Sequence, residues 1–101
     1  MQVSRFLRLG SGGYVCWCPA CEEPHQLPFP NRGWAFDGNV DCPTFSPSFK
    51  ITDGRGAICH FTLKAAVLMF TADCTHAFAG RVVPLPELPE HLRDPCDWSD
   101  G

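Results

Sequence analysis

The sequence predicts a mainly β, small α+β domain of short antiparallel strands and hairpins, stapled by one zinc site. The chain has 101 residues, enough for one domain with a modest core. Ten prolines and nine glycines favour short elements joined by sharp turns over long helices. Cys18 and Cys21 form a CxxC motif, and cysteine–histidine pairs follow at two later points in the chain. This pattern is typical of a metal site that joins separate hairpins.

The first half of the chain contains several short candidate strands. Alternation and β-forming residues predict strands over 1–9, 14–17 and 26–29 and around Trp34 and Phe36. The glycine-rich segment 10–13 is predicted as a turn. Because proline cannot donate a backbone hydrogen bond, Pro43 and Pro47 predict that 42–49 forms an edge strand or an extended cover segment.

The second half is predicted to contain a hairpin, a last strand and one helical turn. The segment 57–63 reads as a strand, and the apolar run 65–71 is predicted to return beside it, although its propensities also suit a turn of helix. A last strand is expected over 81–85 and a helical turn within 87–93. Residues 1–101 therefore form a single domain, with a core of about 3–90 and a loosely ordered tail over 91–101.

The composition excludes several classes of function. The formal net charge is -3 and 19% of the residues are charged, so the chain offers no electrostatic footprint for nucleic acid or an anionic membrane. No apolar run approaches the length of about 18 residues that a membrane span requires, and segment 1–10 lacks the apolar core of a signal peptide. We therefore expect a cytoplasmic protein, where cysteines stay reduced and bind metal or pack as small apolar groups.

The first zinc ligands are predicted from local spacing and from strand parity. Cys18 and Cys21 supply two thiolates from one tight turn. Neighbouring residues of a strand face opposite ways, so only one of Cys59 and His60 is expected to reach the ion. Cys59 shares its face with the apolar Phe61, which favours His60 as the ligand and Cys59 as a packing residue.

The last ligand is either Cys74 or His76, since the two share parity. Asp73 is expected to act as a turn former or to orient a ligating imidazole through its second nitrogen. His25 is interpreted as a turn histidine; the alternatives are a residue that contacts the metal ligands from behind and a ligand at an open metal position. The remaining candidates are interpreted as structural: Ser46 and Ser48 as turn formers rather than nucleophiles, and Cys16, Cys42 and Cys96 as packing residues.

Several segments of the chain together resemble a known family. The residues that carry the resemblance are 18–25, 43–48, 59–63, 73–80 and 83–86, which read CPACEEPH, PTFSPS, CHFTL, DCTHAFAG and VPLP. The chain resembles an uncharacterised family of short proteins from phages, prophages and bacteria that is often labelled "ammonia monooxygenase". That label conflicts with the sequence, because the reaction belongs to large membrane enzymes with copper.

The resemblance covers about 14–90 and implies a compact domain with a zinc site. It implies ligands at Cys18, at Cys21, at Cys59 or His60, and at Cys74 or His76. The family often carries serine at the position of Cys74, which favours His76, so the predicted ligand set is Cys18, Cys21, His60 and His76. Relatives usually carry an Asp-Gly or Asn-Gly turn where this chain has Ala65 and Ala66. Some family members lie beside genes for ubiquitin-like conjugation components, which implies a role in protein interaction or defence.

The function predicted from the sequence is that of a phage- or prophage-encoded zinc-binding module that binds a protein partner, in an anti-defence role. One alternative is a zinc-dependent hydrolase with an open metal position and Asp73, His25 or Glu23 as the general base. The other is a thiol redox protein with a Cys18–Cys21 disulfide. Four protein ligands on the ion favour the binding module, and three ligands plus a water favour the hydrolase.

Overall fold

The computed structural model describes residues 1–29 and 35–94, and this range forms two antiparallel sheets. The smaller sheet has the order β1-β2-β3, with strands Arg8–Leu9, Gly13–Cys18 and Glu23–Pro28. The larger has the order β4-β5-β6-β7-β8, with strands Ala35–Phe36, Phe45–Thr52, Ile58–Lys64, Val67–Phe70 and Val82–Pro84. A single 3-10 turn, Glu90–Leu92, follows within the described range. The predicted mainly β fold class is confirmed.

The two sheets pack face to face around one apolar core. The ring of His25 on β3 stacks on Phe61 of β6, with centroids 6.0 Å apart. The ring of Tyr14 on β2 contacts Phe45 of β5, with centroids 6.2 Å apart, so the inner faces of the two sheets contact each other at both points. Leu27 and Leu63 have no exposed surface. Burying a side chain of this size contributes about 1.5–3 kcal/mol. In β3 and β6, where buried and less buried residues alternate, the apolar face is therefore the face that meets the other sheet.

The N-terminal segment folds back on itself instead of forming the long strand predicted over 1–9. The Ser4 hydroxyl accepts the backbone N–H groups of Phe6 and Leu7 at 3.2 and 3.1 Å, which closes a turn. Gln2 bridges to Arg8, and only the strand that begins at Arg8 pairs with β2. Hydrogen bonds from nearby backbone N–H groups to a serine side chain compete with the hydrogen bonds of a strand. The alternating pattern therefore predicts a longer strand than the one that forms.

The proline-containing segment lies further inside the sheet than predicted. β5 stands between β4 and β6, although β4 pairs only with Phe45 and Ser46. Pro47 lies where the register against β6 shifts, between Phe45 and Phe49. At such a shift the residue does not donate a backbone hydrogen bond to the neighbouring strand. Proline, which has no N–H to donate, can therefore stand there in an interior strand.

The predicted hairpin between 57–63 and 65–71 is confirmed. Lys64 pairs with Val67, and the two residues between them, Ala65 and Ala66, both have positive φ, at 49° and 62°. A two-residue turn of this shape normally carries asparagine and glycine. Here the turn is held from outside, because the Ala65 N–H donates to the Thr44 hydroxyl at 2.8 Å.

The described C-terminal residues are tied to the N-terminus. The Asp94 carboxylate accepts the Gln2 backbone N–H at 2.6 Å and lies 3.2 Å from the Arg8 guanidinium. Asp94 is thus tied to Gln2 and to Arg8 of β1. The rest of the predicted tail beyond residue 94 lies outside the described residues, as do Trp34, Cys96 and Trp98. Within the described ranges, no helix has the length and apolar character needed to cross a membrane.

Candidate functional site

A cluster of three cysteines and one histidine joins the two sheets at one end. It contains Cys18 at the end of β2, Cys21 in the turn that follows, His25 on β3 and Cys59 on β6. One potential ligand atom from each residue lies within 4.8 Å of all the others. Three thiols and one imidazole are a donor set that suits a tetrahedral metal ion. The cluster could therefore hold a metal ion between the sheets.

The spacing of the sulfur atoms fits this interpretation. The Cys18 and Cys59 sulfurs are 3.8 Å apart. Two thiolates at two corners of a tetrahedron with metal–sulfur bonds of about 2.3 Å would be separated by about 3.8 Å. The Nε2 atoms of His25, in the cluster, and of His76, outside it, are both buried and find no hydrogen-bond partner among the described residues. A metal ion bound through Nε2 of His25 would remove the cost of one of these unpaired buried polar groups.

The three thiols of the cluster differ in pKa. The hydrogen bond from the Cys59 thiol lowers the pKa of Cys18 to about 4, and the same hydrogen bond together with burial raises the pKa of Cys59. Burial raises the pKa of Cys21 to about 11. At neutral pH the metal-free cluster therefore holds one thiolate, at Cys18, and two thiols. A divalent cation would displace the two remaining protons.

The cluster and the predicted ligand set differ at two positions. Cys18 and Cys21 lie in the cluster, whereas His60 and His76 lie outside it and Cys59 and His25 stand in their places. Cys59 does face the core, as strand parity predicts, but the cluster itself lies on that core side between the sheets. The residue assigned to packing is thus the one that reaches it.

His76 and Cys74 have other surroundings. The His76 ring packs edge-on against Phe70 at 4.8 Å, and its Nδ1 accepts the backbone N–H of Phe78 at 3.1 Å. His76 also lines a cleft of about 200 Å³ beside the cluster, together with Cys21. Cys74 contacts the backbone of His60 through its thiol. Of the other cysteines, Cys16 is buried as predicted, but Cys42 is exposed and does not pack in the core.

On the outer face of the larger sheet, a serine, a histidine and an aspartate form a hydrogen-bonded chain. The Ser48 hydroxyl lies 3.1 Å from His60 Nε2. The other ring nitrogen of His60, Nδ1, lies 3.2 Å from each carboxylate oxygen of Asp73. This order of groups is that of a Ser-His-Asp catalytic triad. A carboxylate beside Nδ1 fixes the proton there, which leaves Nε2 free to accept the proton of the serine.

Strand register brings the first two members of the triad together. Lys50 on β5 pairs with His60 on β6, and Ser48 precedes Lys50 by two residues. Residues two apart on a strand face the same side, so Ser48 and His60 are diagonal neighbours on the outer face. The side chain of His60 is 25% exposed, so part of the imidazole is accessible to solvent.

The loop after β7 contributes the third member of the triad, Asp73. β7 ends at Phe70, so the backbone groups of Ile58 and His60 on that side have no strand to pair with. The loop supplies partners instead: the Thr71 N–H donates to the His60 carbonyl at 2.9 Å, and the Thr75 N–H donates to the Ile58 carbonyl at 3.0 Å. The loop is thereby fastened along β6, and Asp73 in its middle lies beside the His60 ring.

The charge of Asp73 is stabilised by its neighbours. A hydrogen bond from the Thr71 hydroxyl, and then one from His60, lower the pKa of Asp73 below its ordinary value. The Lys50 ammonium is 4.0 Å from the same carboxylate. Asp73 therefore stays ionised through the neutral range, as the orienting carboxylate of a triad must.

Sequence reasoning missed the triad because its members are distant in the chain. The sequence predicts a turn at Ser48, whereas the residue lies on β5. Asp73 is predicted either to form a turn or to orient a metal-ligating imidazole; the imidazole that it contacts belongs to His60, outside the cluster. Only the β5–β6 register places Ser48 beside His60, and the prolines around Ser48 hide that strand.

Comparison with known proteins agrees with this geometry. No curated protein and no solved structure gives a significant match to the chain. A family model does match, over residues 4–71, a stretch that contains Ser48, His60 and the whole metal cluster, with Asp73 just beyond its end. The matched stretch is more than half of the chain. The chain therefore belongs to the family described as the bacterial ubiquitination-like system serine protease (BubE).

Proposed function

We propose that this protein is a serine protease whose substrate is a protein of a bacterial ubiquitination-like system. The observation that carries the proposal is the chain of hydrogen bonds from Ser48 through His60 to Asp73, at 3.1 and 3.2 Å. The family description supports both the reaction class and the system. The protein partner expected from the sequence is, in this proposal, the substrate.

The proposed reaction begins with attack of the Ser48 hydroxyl on the carbonyl carbon of the scissile amide. His60 takes the hydroxyl proton at Nε2 and gives it to the leaving nitrogen as the C–N bond breaks, which leaves an ester on Ser48. A water molecule then attacks the ester, with His60 as general base, and the second product leaves as a carboxylic acid. Asp73 holds the ring and stabilises the imidazolium at both steps.

We propose zinc as the metal of the cluster, in a structural role. Support comes from the thiolate-rich donor set, the 3.8 Å sulfur–sulfur separation and the orphaned nitrogen of His25. Four protein donors fill a tetrahedral shell and leave no position for a reactive water. The hydrolytic step in this proposal therefore belongs to the serine on the outer face, and the ion fastens Cys59 of β6 to the smaller sheet.

An active-site probe tests the proposal without a known substrate. A fluorophosphonate forms a stable bond only to an activated serine, with loss of fluoride, and intact mass spectrometry detects the adduct. The matched pair is Ser48→Ala and Ser46→Ala, because Ser46 is an exposed serine two residues earlier on the same strand. We expect wild type and Ser46→Ala to react, and Ser48→Ala and His60→Ala to react at least about 10³-fold more slowly. An unreactive wild type, or a reactive Ser48→Ala, would contradict the proposal.

A further inference from the structure

We propose that the metal cluster positions the catalytic histidine, so that loss of the ion inactivates the protease although the ion never contacts the substrate. This inference rests on the triad proposed above. If the inference holds, the activity of the protease depends on the supply of metal and falls when a reaction of the thiolates releases the ion.

The first observation is the position of the two sites on one strand. Cys59 of the cluster and His60 of the triad are consecutive on β6. Because side chains alternate along a strand, Cys59 points between the sheets and His60 points to the outer face. Cys59 is 4% exposed, whereas the His60 side chain is 25% exposed. Their α-carbons are about 3.8 Å apart, so an ion that fixes the Cys59 sulfur also fixes the backbone that carries the imidazole.

The second observation concerns what holds this end of β6. Within the larger sheet, β5 pairs with it on one side, Ile51 with Cys59 and Lys50 with His60. The last pair between β6 and β7 is Phe61 with Phe70, so Cys59 and His60 lie beyond the end of β7. On that side β6 meets only the loop that carries Asp73. The turn that leads into β6 is exposed from Asp53 to Ala57. Across to the smaller sheet, Cys59 is the residue at this end of β6 that belongs to the cluster, so an ion bound there would tie the start of β6 to β2 and β3.

The third observation is that His60 is the central member of the triad. Ser48 belongs to β5, Asp73 belongs to the loop, and the described contacts join them through the His60 ring. A displacement of the His60 ring of about 1 Å relative to Ser48 and Asp73 would therefore stretch both hydrogen bonds at once, and hydrogen bonds weaken steeply beyond about 3.2 Å. Rates fall sharply when reacting groups move by this amount.

The opposite end of the domain has its own packing and does not need the ion. Tyr14, Phe36 and Phe45 contact one another there, with Phe36 stacked on Phe45 at 4.4 Å. Phe45 pairs with Leu63, four residues along β6 from Cys59, which is about 13 Å of strand. We therefore expect metal loss to loosen the cluster end of β6 while the aromatic end stays packed.

The experiment measures fluorophosphonate labelling of Ser48 in protein stripped of metal under reducing conditions and then titrated with Zn²⁺. Methyl NMR signals of Leu63 and Leu68, both buried, report the packing beyond the cluster. Cys21→Ser removes a ligand that lies in a different element from the triad, and Cys42→Ser is the matched control at an exposed cysteine. We expect labelling to fall at least tenfold without metal and in Cys21→Ser, and to be unchanged in metal-loaded Cys42→Ser.

Added Zn²⁺ should restore labelling of the wild type in proportion to site occupancy, and Cd²⁺ should restore it as well, because the ion acts by position. Undiminished labelling of metal-free protein would overturn the inference. Labelling that is lost only together with the dispersed Leu63 and Leu68 signals would also overturn it, since the ion would then hold the whole domain.

Failure of the protease proposal is distinguishable from failure of the inference. If metal-loaded wild type does not react with the probe, the protease proposal fails, while the ring NMR signals of His60 still report on the inference. Ring signals that move between metal-loaded and metal-free protein support metal-dependent positioning of His60. Ring signals that are identical in the two states contradict it.

Discussion

The Cys74 thiol lies 3.3 Å from the backbone nitrogen of His60 and 3.1 Å from its carbonyl oxygen. The side chain therefore accepts one hydrogen bond from β6 and donates another to it, in place of the strand that is missing beyond Phe70. Asp73 is the residue immediately before Cys74. The contact thus fixes the distance between the carboxylate and the imidazole of the triad.

Replacing Cys74 should impair the protease through the position of Asp73. Cys74→Ala removes both hydrogen bonds, and we expect a labelling rate about tenfold lower, equivalent to about 1.4 kcal/mol in the barrier. Cys74→Ser is the matched control, because a hydroxyl also donates and accepts, and it should stay within about threefold of wild type. Equal rates for the alanine variant and wild type, at equal zinc content, would show that the loop holds Asp73 without this contact.

The Thr71 hydroxyl supports the charge of Asp73. It donates to the carboxylate and is the largest cause of the lowered pKa of Asp73. Thr71→Val keeps the shape of the side chain but removes the donor, so the pKa of Asp73 should rise toward its ordinary value. Thr71→Ser keeps the donor and should leave the pKa near that of wild type. Carboxyl ¹³C NMR across an acid titration measures both, and a pKa in Thr71→Val at or below that of wild type would contradict the assignment.

Zinc binding should release protons from two of the three thiols. In the metal-free protein Cys18 is a thiolate, whereas burial raises the pKa of Cys21 to about 11 and the hydrogen bond with Cys18 raises that of Cys59. Each raised pKa means a proton still bound at neutral pH that the metal must displace. The apparent zinc affinity should therefore rise about 100-fold per pH unit between pH 7 and 8.

Competition with a chromophoric chelator measures this slope, and calorimetry in buffers of different ionisation enthalpy counts the protons directly. Cys21→Ser is the control, since it removes one of the two protons and should lower the slope to about tenfold per pH unit. An affinity independent of pH over this range would mean that Cys21 and Cys59 are already ionised without metal.

The local sequence pattern predicts those parts of the fold that depend on residues close together in the chain. Alternation located the β6–β7 hairpin, and the CxxC spacing located the Cys18–Cys21 knuckle, because both depend on residues close in the chain. Strand parity also placed Cys59 on the core face. Parity does not say on which side of the sheet a metal would lie, so the pattern that places Cys59 on the core face also favours His60 as a ligand, whereas the cluster lies on the side of Cys59.

The triad cannot be predicted from any single segment, because its three residues come together only through pairing between distant parts of the chain. Ser48 and His60 meet through the β5–β6 register, which includes a shift beside Pro47. Asp73 reaches them because a loop replaces the end of β7 along β6. A one-residue change of register would turn Ser48 to the other face, so the site exists only once the strands are paired.

The turn between β6 and β7 carries residues poorly suited to its backbone. Ala65 has a φ of 49°, in the left-handed region, where a side chain with a β-carbon costs about 1–2 kcal/mol relative to glycine. Its side chain is exposed, so removing the methyl group loses no core contact. Its backbone N–H bonds to Thr44, and this bond survives any substitution except proline.

Ala65→Gly should therefore stabilise the domain. We expect a gain of about 0.7 kcal/mol in the free energy of unfolding, smaller than the strain relieved because glycine gains more entropy in the unfolded chain. For a domain of this size the melting temperature should rise by about 4 °C. Ala57→Gly is the matched control, since Ala57 is also exposed but is not among the residues of positive φ. It should lower stability by about 0.5 kcal/mol. Thermal and urea unfolding of the zinc-loaded variants measure both changes, and a loss of stability in Ala65→Gly would show that the turn stores no strain at this residue.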